Sequence, residues 1–471
     1  MNYLELCQRY HYFDYLSYQR EKIGEEILLT FQYRLSSETD EKQIDFTHRV
    51  KYKLVQQKQG NQELISLFYD ENRHKELENF IFHIGLVEII NYWKLACPKN
   101  VRIFCGYLEE SAQKWWKKLF YHGLGEFIFL NQMAQYVNED NFVRFEIQQQ
   151  SKEARKAVAL HGKGNLIPVG GGKDSVVTLE VLKKQQEWNL PFVMSAPVAA
   201  FDCIEVAGYD QYAEAKRIFD PKIMEMNQEG YLNGHVPFSA ILAFISVFAA
   251  ALAGRKYIPL SNERSANEPS VLGTTFNHQY SKSFEFERDF DQYLHHYLAT
   301  DIDYFSLLRP LYEIQIGEMF SQYKAYHPVY RSCNRGKASN SWCGKCAKCL
   351  FVYIILSPYL EEEELVTQFG KNLYDDHELV DIFEELIGIR ETKPFECVGT
   401  IWEVRYALGL YLDKRRESNQ EIPYLLQYFL QISGDQLSTK ASVYEEEDLL
   451  PLEHRKMLQE AMEVVFGGVE N

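Results

Sequence analysis

Gly170, Gly171 and Gly172 are followed at once by Lys173, Asp174 and Ser175. An apolar run, LIPV, precedes them and an apolar stretch at helical spacing follows. A turn without Cβ atoms lets backbone N–H groups point inward at a bulky anion, and the positive end of the next helix adds to the attraction. The chemistry implied is phosphate binding. Lys173 and Ser175 would add a charge and a hydroxyl donor. Asp174 beside phosphate makes sense if Mg²⁺ or a backbone amide takes up its charge. The spacing excludes a Walker loop, because Asp174 follows Lys173. It also excludes the dinucleotide fingerprint, which needs a later glycine, whereas Val176 and Val177 occupy that stretch. A glycine turn serving only helix–sheet packing is the plain alternative, and it leaves the K-D-S run unexplained.

A second cluster lies downstream. Cys333, Cys343, Cys346 and Cys349 are spaced C-x9-C-x2-C-x2-C among Lys, Gly and Asn. Four thiolates close a tetrahedral shell around Zn²⁺ with no open position, so the site is expected to be structural. The chain has nine Cys, and the other five are scattered. That distribution suits a reducing cytoplasm with one metal site better than a disulfide framework.

These residues need a scaffold. A chain of 471 residues predicts two or three domains, and 46% hydrophobic and 14% aromatic residues are ample for large cores. We expect an α+β domain over 1–150 with possible substrate contacts, a nucleotide-binding catalytic domain over 151–370, and a helical, acidic region over 371–471 that includes EEED at 445–448. In the central region LIPVG reads as a strand and SVVTLEVLKKQQEW as a helix. PFVMSAPVA reads as a strand, YAEAKRIF as a helix, FSAILAFISVFAAALAG as a buried helix and KYIPLSN as a strand. Strands alternating with helices predict an α/β, doubly wound parallel sheet. The uncharged run at 236–254 falls slightly short of the roughly 20 residues a membrane span needs, and Pro237 and Gly254 punctuate it as a helix. No signal peptide and no membrane partner are expected. A net charge of -17 argues against broad nucleic-acid binding.

Two resemblances sharpen this reading. GGGKDS is similar to the S-G-G-x-D-S loop of the ATP pyrophosphatase (PP-loop) superfamily, with Gly170 in place of the first serine. This implies a PP-loop, HUP-like core that cleaves ATP between its α and β phosphates. A PP-loop with a downstream four-Cys zinc site also resembles the deazaguanine nitrile synthases, which are much shorter and lack a counterpart to residues 1–150. NGHVPFSA, LSNERSANEPS, NHQYSKSFEFE, YFSLLRPLYEIQI, RSCNRG, WCGKCAKCLFV and KPFECVGT, with IFHIGLVEIINYWK and WWKKLFYHGLGEFIF upstream, together resemble the bacterial UDP-N-acetylmuramoyl-L-alanyl-L-glutamate epimerase family. That resemblance covers most of the chain. It implies ATP and Mg²⁺ as cofactors and UDP-MurNAc-L-Ala-L-Glu as substrate, with inversion of the terminal L-glutamate and release of AMP and pyrophosphate during peptidoglycan precursor synthesis.

On this reading Gly170, Gly171, Gly172, Lys173, Asp174 and Ser175 bind phosphate, and Lys282 neutralises charge at the α-phosphate. The proton-transfer group stays open among His235, His278, Cys203 and Glu263, the last two expected on loops after strands. The histidines rank first because they titrate in the right range. His235 equally suits a helix cap or a phosphate contact, Cys203 a core thiol, and Glu263 a magnesium or ribose contact. Arg264, Arg309 and Arg331 are candidates for substrate carboxylates or diphosphate, or for structural ion pairs. The competing functions are another PP-loop enzyme, of the nitrile synthase or tRNA thiolase type, and a non-catalytic nucleotide-sensing module. Oligomeric state is not legible in the sequence.

Overall fold

Ten strands form one continuous sheet: β1 (Tyr12–Ile23), β2 (Glu26–Ser36), β3 (Gln43–Gln56), β4 (Asn100–Ile103), β5 (Arg144–Ile147), β6 (Asn165–Pro168), β7 (Asn189–Met194), β8 (Gln211–Ile218), β9 (Tyr257–Leu260) and β10 (Asp303–Ser306). Their spatial order is β10-β9-β6-β7-β8-β3-β2-β1-β4-β5. The computed structural model describes residues 1–39, 42–56, 62–148, 155–268, 277–433 and 447–467. The boundary expected near residue 150 and the start of the EEED run lie outside them.

From β10 to β8 every pairing is parallel. The chain leaves β6 for β7 and β8 on one side and returns to β9 and β10 on the other. The strand order therefore reverses beside β6, where doubly wound sheets bind ligands beyond their carboxyl ends. Both faces are covered. Leu166 and Tyr304 pack into one core, while their neighbours Ile167 and Phe305 pack into the other. The Phe238–Ala253 helix is buried against the sheet and ends on Gly254 in the left-handed conformation (φ +61°), as its punctuation predicts.

Two expectations are corrected. YAEAKRIF is not a helix but most of β8. Its Ala, Glu and Lys favour a helix, yet Ala213 and Ala215 alternate into the core while Glu214 and Lys216 point away from it. Pairing with β7 on one side and β3 on the other outweighs the local preference. The helix that joins β7 to β8 is instead Val198–Val206, and it carries Cys203, which was expected on a loop.

β8 also joins the regions expected to be separate. It runs antiparallel to β3, with Gln211–Ile218 facing Arg49–Gln56. A buried ion pair reinforces the junction: Arg217 donates to Glu88 at 2.7 and 2.8 Å. His48 Nε2 lies 3.4 Å from the same carboxylate. Burial works against charge on Glu88, but Arg217 and His48 outweigh it and hold the pKa at about 2. A depressed carboxyl pKa contributes stability that is present above its unfolded value and fades only as pH falls toward about 2. Arg217→Ala removes the guanidinium from that buried carboxylate and leaves it only His48 and Asn91, and we expect a loss of about 3–5 kcal/mol in chemical denaturation at neutral pH.

Beyond residue 330 the fold is helical. Ala347–Leu356, Ile401–Glu417, Tyr424–Ser433 and Leu452–Phe466 are its longest helices among the described residues. No helix among them is long and apolar enough to cross a membrane.

Candidate active site

The glycine turn leaves the end of β6 and enters the Lys173–Val181 helix. Each glycine has a different reason to be there. Gly171 has φ +83°, and a Cβ on it would stand 2.5 Å from the Ala200 nitrogen and 2.7 Å from the Ala199 carbonyl carbon. A Cβ on Gly172 would meet Ser332 Oγ at 2.6 Å. Gly170 is exposed, and a Cβ there would meet nothing within 4 Å. The protein thus requires Gly171, while the space before Gly170 is open to a ligand. Ser175 braces the turn: its hydroxyl accepts from the Gly171 N–H at 3.1 Å and donates to the Gly172 carbonyl at 2.9 Å. The Arg331 N–H donates to the Gly171 carbonyl at 2.8 Å, and Arg331 Nε has no partner among the described residues. Its guanidinium donates through Nη1 to the Tyr330 carbonyl at 2.6 Å.

Lys173 is buried rather than extended toward solvent, and its ammonium donates to both Asp174 and Glu313. Glu263, on the loop after β9 as expected, completes an acidic group: Asp174, Glu263 and Glu313 each offer an oxygen within 4.8 Å of the others. Burial works against charge on Asp174, but Lys173, Lys348 and Lys282 hold it below the usual carboxylate range. Burial pushes Glu313 up; Lys173 opposes, while Asp174 and Glu263 add to the rise. A buried set of three carboxylates whose oxygens converge fits a hard divalent cation such as Mg²⁺. Glu313 is fixed by the N-terminus of the Ile401–Glu417 helix, where Glu403 accepts from the Glu313 N–H at 2.6 Å.

Lys282 leads from this acidic group to a second cluster. Burial opposes its charge, but Cys397, Glu263 and Asp174 overcome that and raise its pKa. Cys397 lies near enough to both Lys282 and His278 to favour their charged forms. His278 in turn binds Glu126 through Nδ1, and its ring lies 4.2 Å from that of His235. Three of these groups are pushed apart in proton affinity. Burial opposes charge on His278, but Cys397 and Glu126 raise its pKa to about 9. Burial, then His278, Lys94 and Lys282, lower His235 to about 3. Burial opposes the Cys397 thiolate, but Lys282, His278 and Lys348 bring its pKa to about 6. Near neutral pH the set is a thiolate, an imidazolium and a neutral imidazole.

One guanidinium holds the two clusters in register. Fully buried Arg309 donates 2.7 Å hydrogen bonds to the backbone carbonyls of Glu263 and Lys282 and to the Glu287 carboxylate. It is structural rather than a substrate contact. Arg264 is buried beside the Tyr312 ring, 5.1 Å from its centroid.

The structure thus brings Lys282, Glu263, His235 and His278 together near the glycine turn. Cys203 stays apart. It is buried beneath Gly171, and burial, then Asp202, push its pKa up to about 12, so it remains a thiol. Glu126, Glu313 and Cys397 were not foreseen. Glu126 comes from the N-terminal region, on the short Gly125–Leu130 helix. The available signals were faint: a carboxylate inside the apolar GLGEFIF run, and one of the scattered cysteines in KPFECVGT.

The four clustered cysteines sit behind this site. Their sulfurs lie within 4.8 Å of one another, with Cys333–Cys346 at 4.0 Å, Cys343–Cys349 at 3.7 Å and Cys346–Cys349 at 3.5 Å. Zinc–sulfur bonds of about 2.3 Å in a tetrahedron put sulfurs about 3.8 Å apart, so the set fits zinc. N–H groups of Gly336 and Cys343 point at Cys333 Sγ, at 3.1 and 3.4 Å. Lys348, between two of the cysteines, connects this cluster to the site: its N–H donates to Glu396 at 2.7 Å, and its ammonium binds the Cys397 carbonyl.

Comparison with known proteins is specific. Residues 6–307 match the MurL N-terminal domain and residues 329–442 the MurL C-terminal domain. The chain belongs to the MurL family. It is 33% identical over 335 residues to a protein of Xanthomonas oryzae pv. oryzae (69% of this chain, 73% of that one). It is 34% identical over 328 residues to one of Salinispora tropica (68% and 70%). A third relative, from a Micromonospora strain, is 33% identical over 337 residues (70% and 74%). All three are named UDP-N-acetyl-alpha-D-muramoyl-L-alanyl-L-glutamate epimerase. No solved structure matches the chain significantly.

Proposed function

We propose that this protein inverts the terminal L-glutamate of UDP-N-acetylmuramoyl-L-alanyl-L-glutamate in the cytoplasm, using ATP to activate that residue's carboxyl group and releasing AMP and pyrophosphate. The reading rests on the relatives' shared name and on one observation: Lys282 stands between the acidic group at the glycine turn and the His–Cys cluster. An enzyme that must first activate a carboxylate and then move the adjacent hydrogen needs both in reach of one small fragment.

The order follows from charge. Taking the α-hydrogen from a free carboxylate puts two negative charges on a few atoms. Joining the carboxylate to AMP removes one charge and lets the carbonyl accept the electron pair. In this scheme the PP-loop-like turn at Gly170–Gly172 and the first N–H groups of the following helix cradle phosphates, with Arg331 beside them. Lys282 offsets charge where pyrophosphate leaves. Asp174, Glu263 and Glu313 are the residues that would hold Mg²⁺, which neutralises phosphate charge when bound. Lys173 holds Asp174 and Glu313 together. Cys333, Cys343, Cys346 and Cys349 are assigned to a structural zinc with no part in the chemistry.

The test is a single incubation with ATP, Mg²⁺ and the L-glutamyl substrate in heavy water. We expect deuterium at Cα of the glutamate, a D-configured product, and AMP formed alongside. Another adenylating enzyme would leave that carbon unlabelled, and a nucleotide sensor would form no AMP.

A further inference from the structure

Three groups of metal-ligating side chains converge among the described residues. The four cysteines are one, and the carboxylates of Asp174, Glu263 and Glu313 are another. The third is Glu126 with His235 and His278, each offering a ligand atom within 4.8 Å of the others. Its members come from separate stretches of chain: the Gly125–Leu130 helix, the loop before the Phe238–Ala253 helix, and the turn before Tyr280–Lys282.

Glu126 is the hub. Its Oε2 meets His278 Nδ1 and lies 3.9 Å from His235 Nδ1. The two imidazole rings are 4.2 Å apart. Both δ nitrogens thus approach one carboxylate oxygen, and the His235 distance is too long for a hydrogen bond. Bonds of about 2.0–2.2 Å from zinc to imidazole nitrogen and carboxylate oxygen put ligand atoms about 3–4 Å apart. The His235 spacing already lies in that range, and the Glu126–His278 contact opens when a cation replaces the proton it shares.

The scaffold presets the arrangement. Asn131 Nδ2 donates to the Phe127 carbonyl at 2.8 Å and to the Asn233 carbonyl at 3.2 Å, which ties the Glu126 helix to the His235 loop. The Lys94 ammonium donates to the Gly234 carbonyl beside His235. Asn277 Oδ1 accepts from the Gln279 N–H at 2.7 Å, and its Nδ2 donates to the Ala266 carbonyl at 2.9 Å, which fixes the turn that carries His278. One side stays open: the His235 side chain is 26% exposed, against 11% for Glu126 and 10% for His278.

We propose that Glu126, His235 and His278 form an exchangeable site for a divalent cation of the zinc class, with three protein ligands and an open position on the His235 side. Two neutral imidazoles and one carboxylate carry a single negative charge, and imidazole nitrogen selects such ions over Mg²⁺. As the ion enters, the His278 N–H bond breaks, its proton goes to water and a nitrogen–metal bond takes its place. Positive charge on Lys94 and Lys282 reaches His235 and opposes the ion, so the site exchanges where the closed four-cysteine shell does not. The site is independent of the glutamate reading.

The experiment uses the dialysed full chain with Mg²⁺ in excess, to fill sites built of oxygen alone, and Co²⁺ as the probe. Equilibrium dialysis should find one Co²⁺ taken up beyond the metal the chain keeps. H235A, H278A and E126Q should each weaken that uptake by at least about 100-fold, since loss of even an outer-shell partner costs about 10–100-fold. Each should retain the zinc of the four cysteines, which reports an intact fold. Should the variants not fold, diethyl pyrocarbonate on the wild-type protein gives the second readout. Saturating Co²⁺ should slow carbethoxylation of His235, mapped by mass spectrometry, by at least about tenfold. The exposed His161 and His296 should react as before. No added uptake by wild type, unchanged uptake in any of the three variants, or a His235 that Co²⁺ does not protect overturns the site. None of these outcomes bears on hydrogen exchange at the glutamate Cα, so the two readings fail separately.

Discussion

On the proposed function, Gly171→Ala is expected to lower AMP release by at least about 100-fold, because the backbone assigned to phosphate can no longer hold its position to within an ångström. Two effects combine. At φ +83° an alanine is strained by about 1–2 kcal/mol. Its Cβ would also overlap backbone atoms of Ala199 and Ala200, at 2.7 and 2.5 Å, and backbone at the start of a helix does not swing aside as a side-chain tip would. The turn must move instead, and the Gly171 carbonyl that receives the Arg331 N–H moves with it. Gly170→Ser is the matched control. It places a side chain into open space and restores the serine of the PP-loop pattern, so AMP release should stay within about threefold of wild type; Cβ contacts, not loss of glycine as such, set the cost. Steady-state AMP formation by the two variants checks both, and equal effects at the two positions would contradict the geometry.

Cys346→Ser is expected to abolish metal binding and to destabilise the protein by about 4 kcal/mol or more, within the class of substitutions that remove a structural metal. Cys346 is the sulfur at the middle of the cluster, 4.0 Å from Cys333 and 3.5 Å from Cys349. Elemental analysis should find one zinc per wild-type chain and none in the variant, and denaturation should show the loss. Inversion should fall too. Cys346 caps the Ala347–Leu356 helix, whose second residue, Lys348, binds Glu396 and the Cys397 carbonyl. Loosening the cluster therefore loosens the loop that carries Cys397. A variant that lacks metal yet matches wild type in stability would show the cluster to be dispensable.

How much of this could be read in advance depends on sequence distance. The glycine turn and the cysteine cluster are local patterns, and each appears within a short stretch at the place and in the form expected. The Phe238–Ala253 helix was equally legible, because an uncharged run between Pro237 and Gly254 has few other uses. β8 reads locally as a helix, and its helix-favouring composition is overridden by two neighbouring strands, one of them more than 150 residues upstream. The site's unforeseen members share that property. Glu126 meets His278 across 152 positions, and Glu313 meets Lys173 across 140. Nothing local marks such partners. Arg309 is the converse case: a plausible ligand for substrate anions by type, it is committed to backbone carbonyls and Glu287 once the fold closes.

The junction of β3 with β8 bears on how this chain can be cut. A fragment beginning after residue 150 would bare the β8 edge along eight consecutive positions, Gln211–Ile218, and an uncovered flat edge recruits other chains. It would also lose Glu88, stranding the Arg217 guanidinium. Expressed alone, that fragment should precipitate, so the unit of inheritance here is the whole sheet.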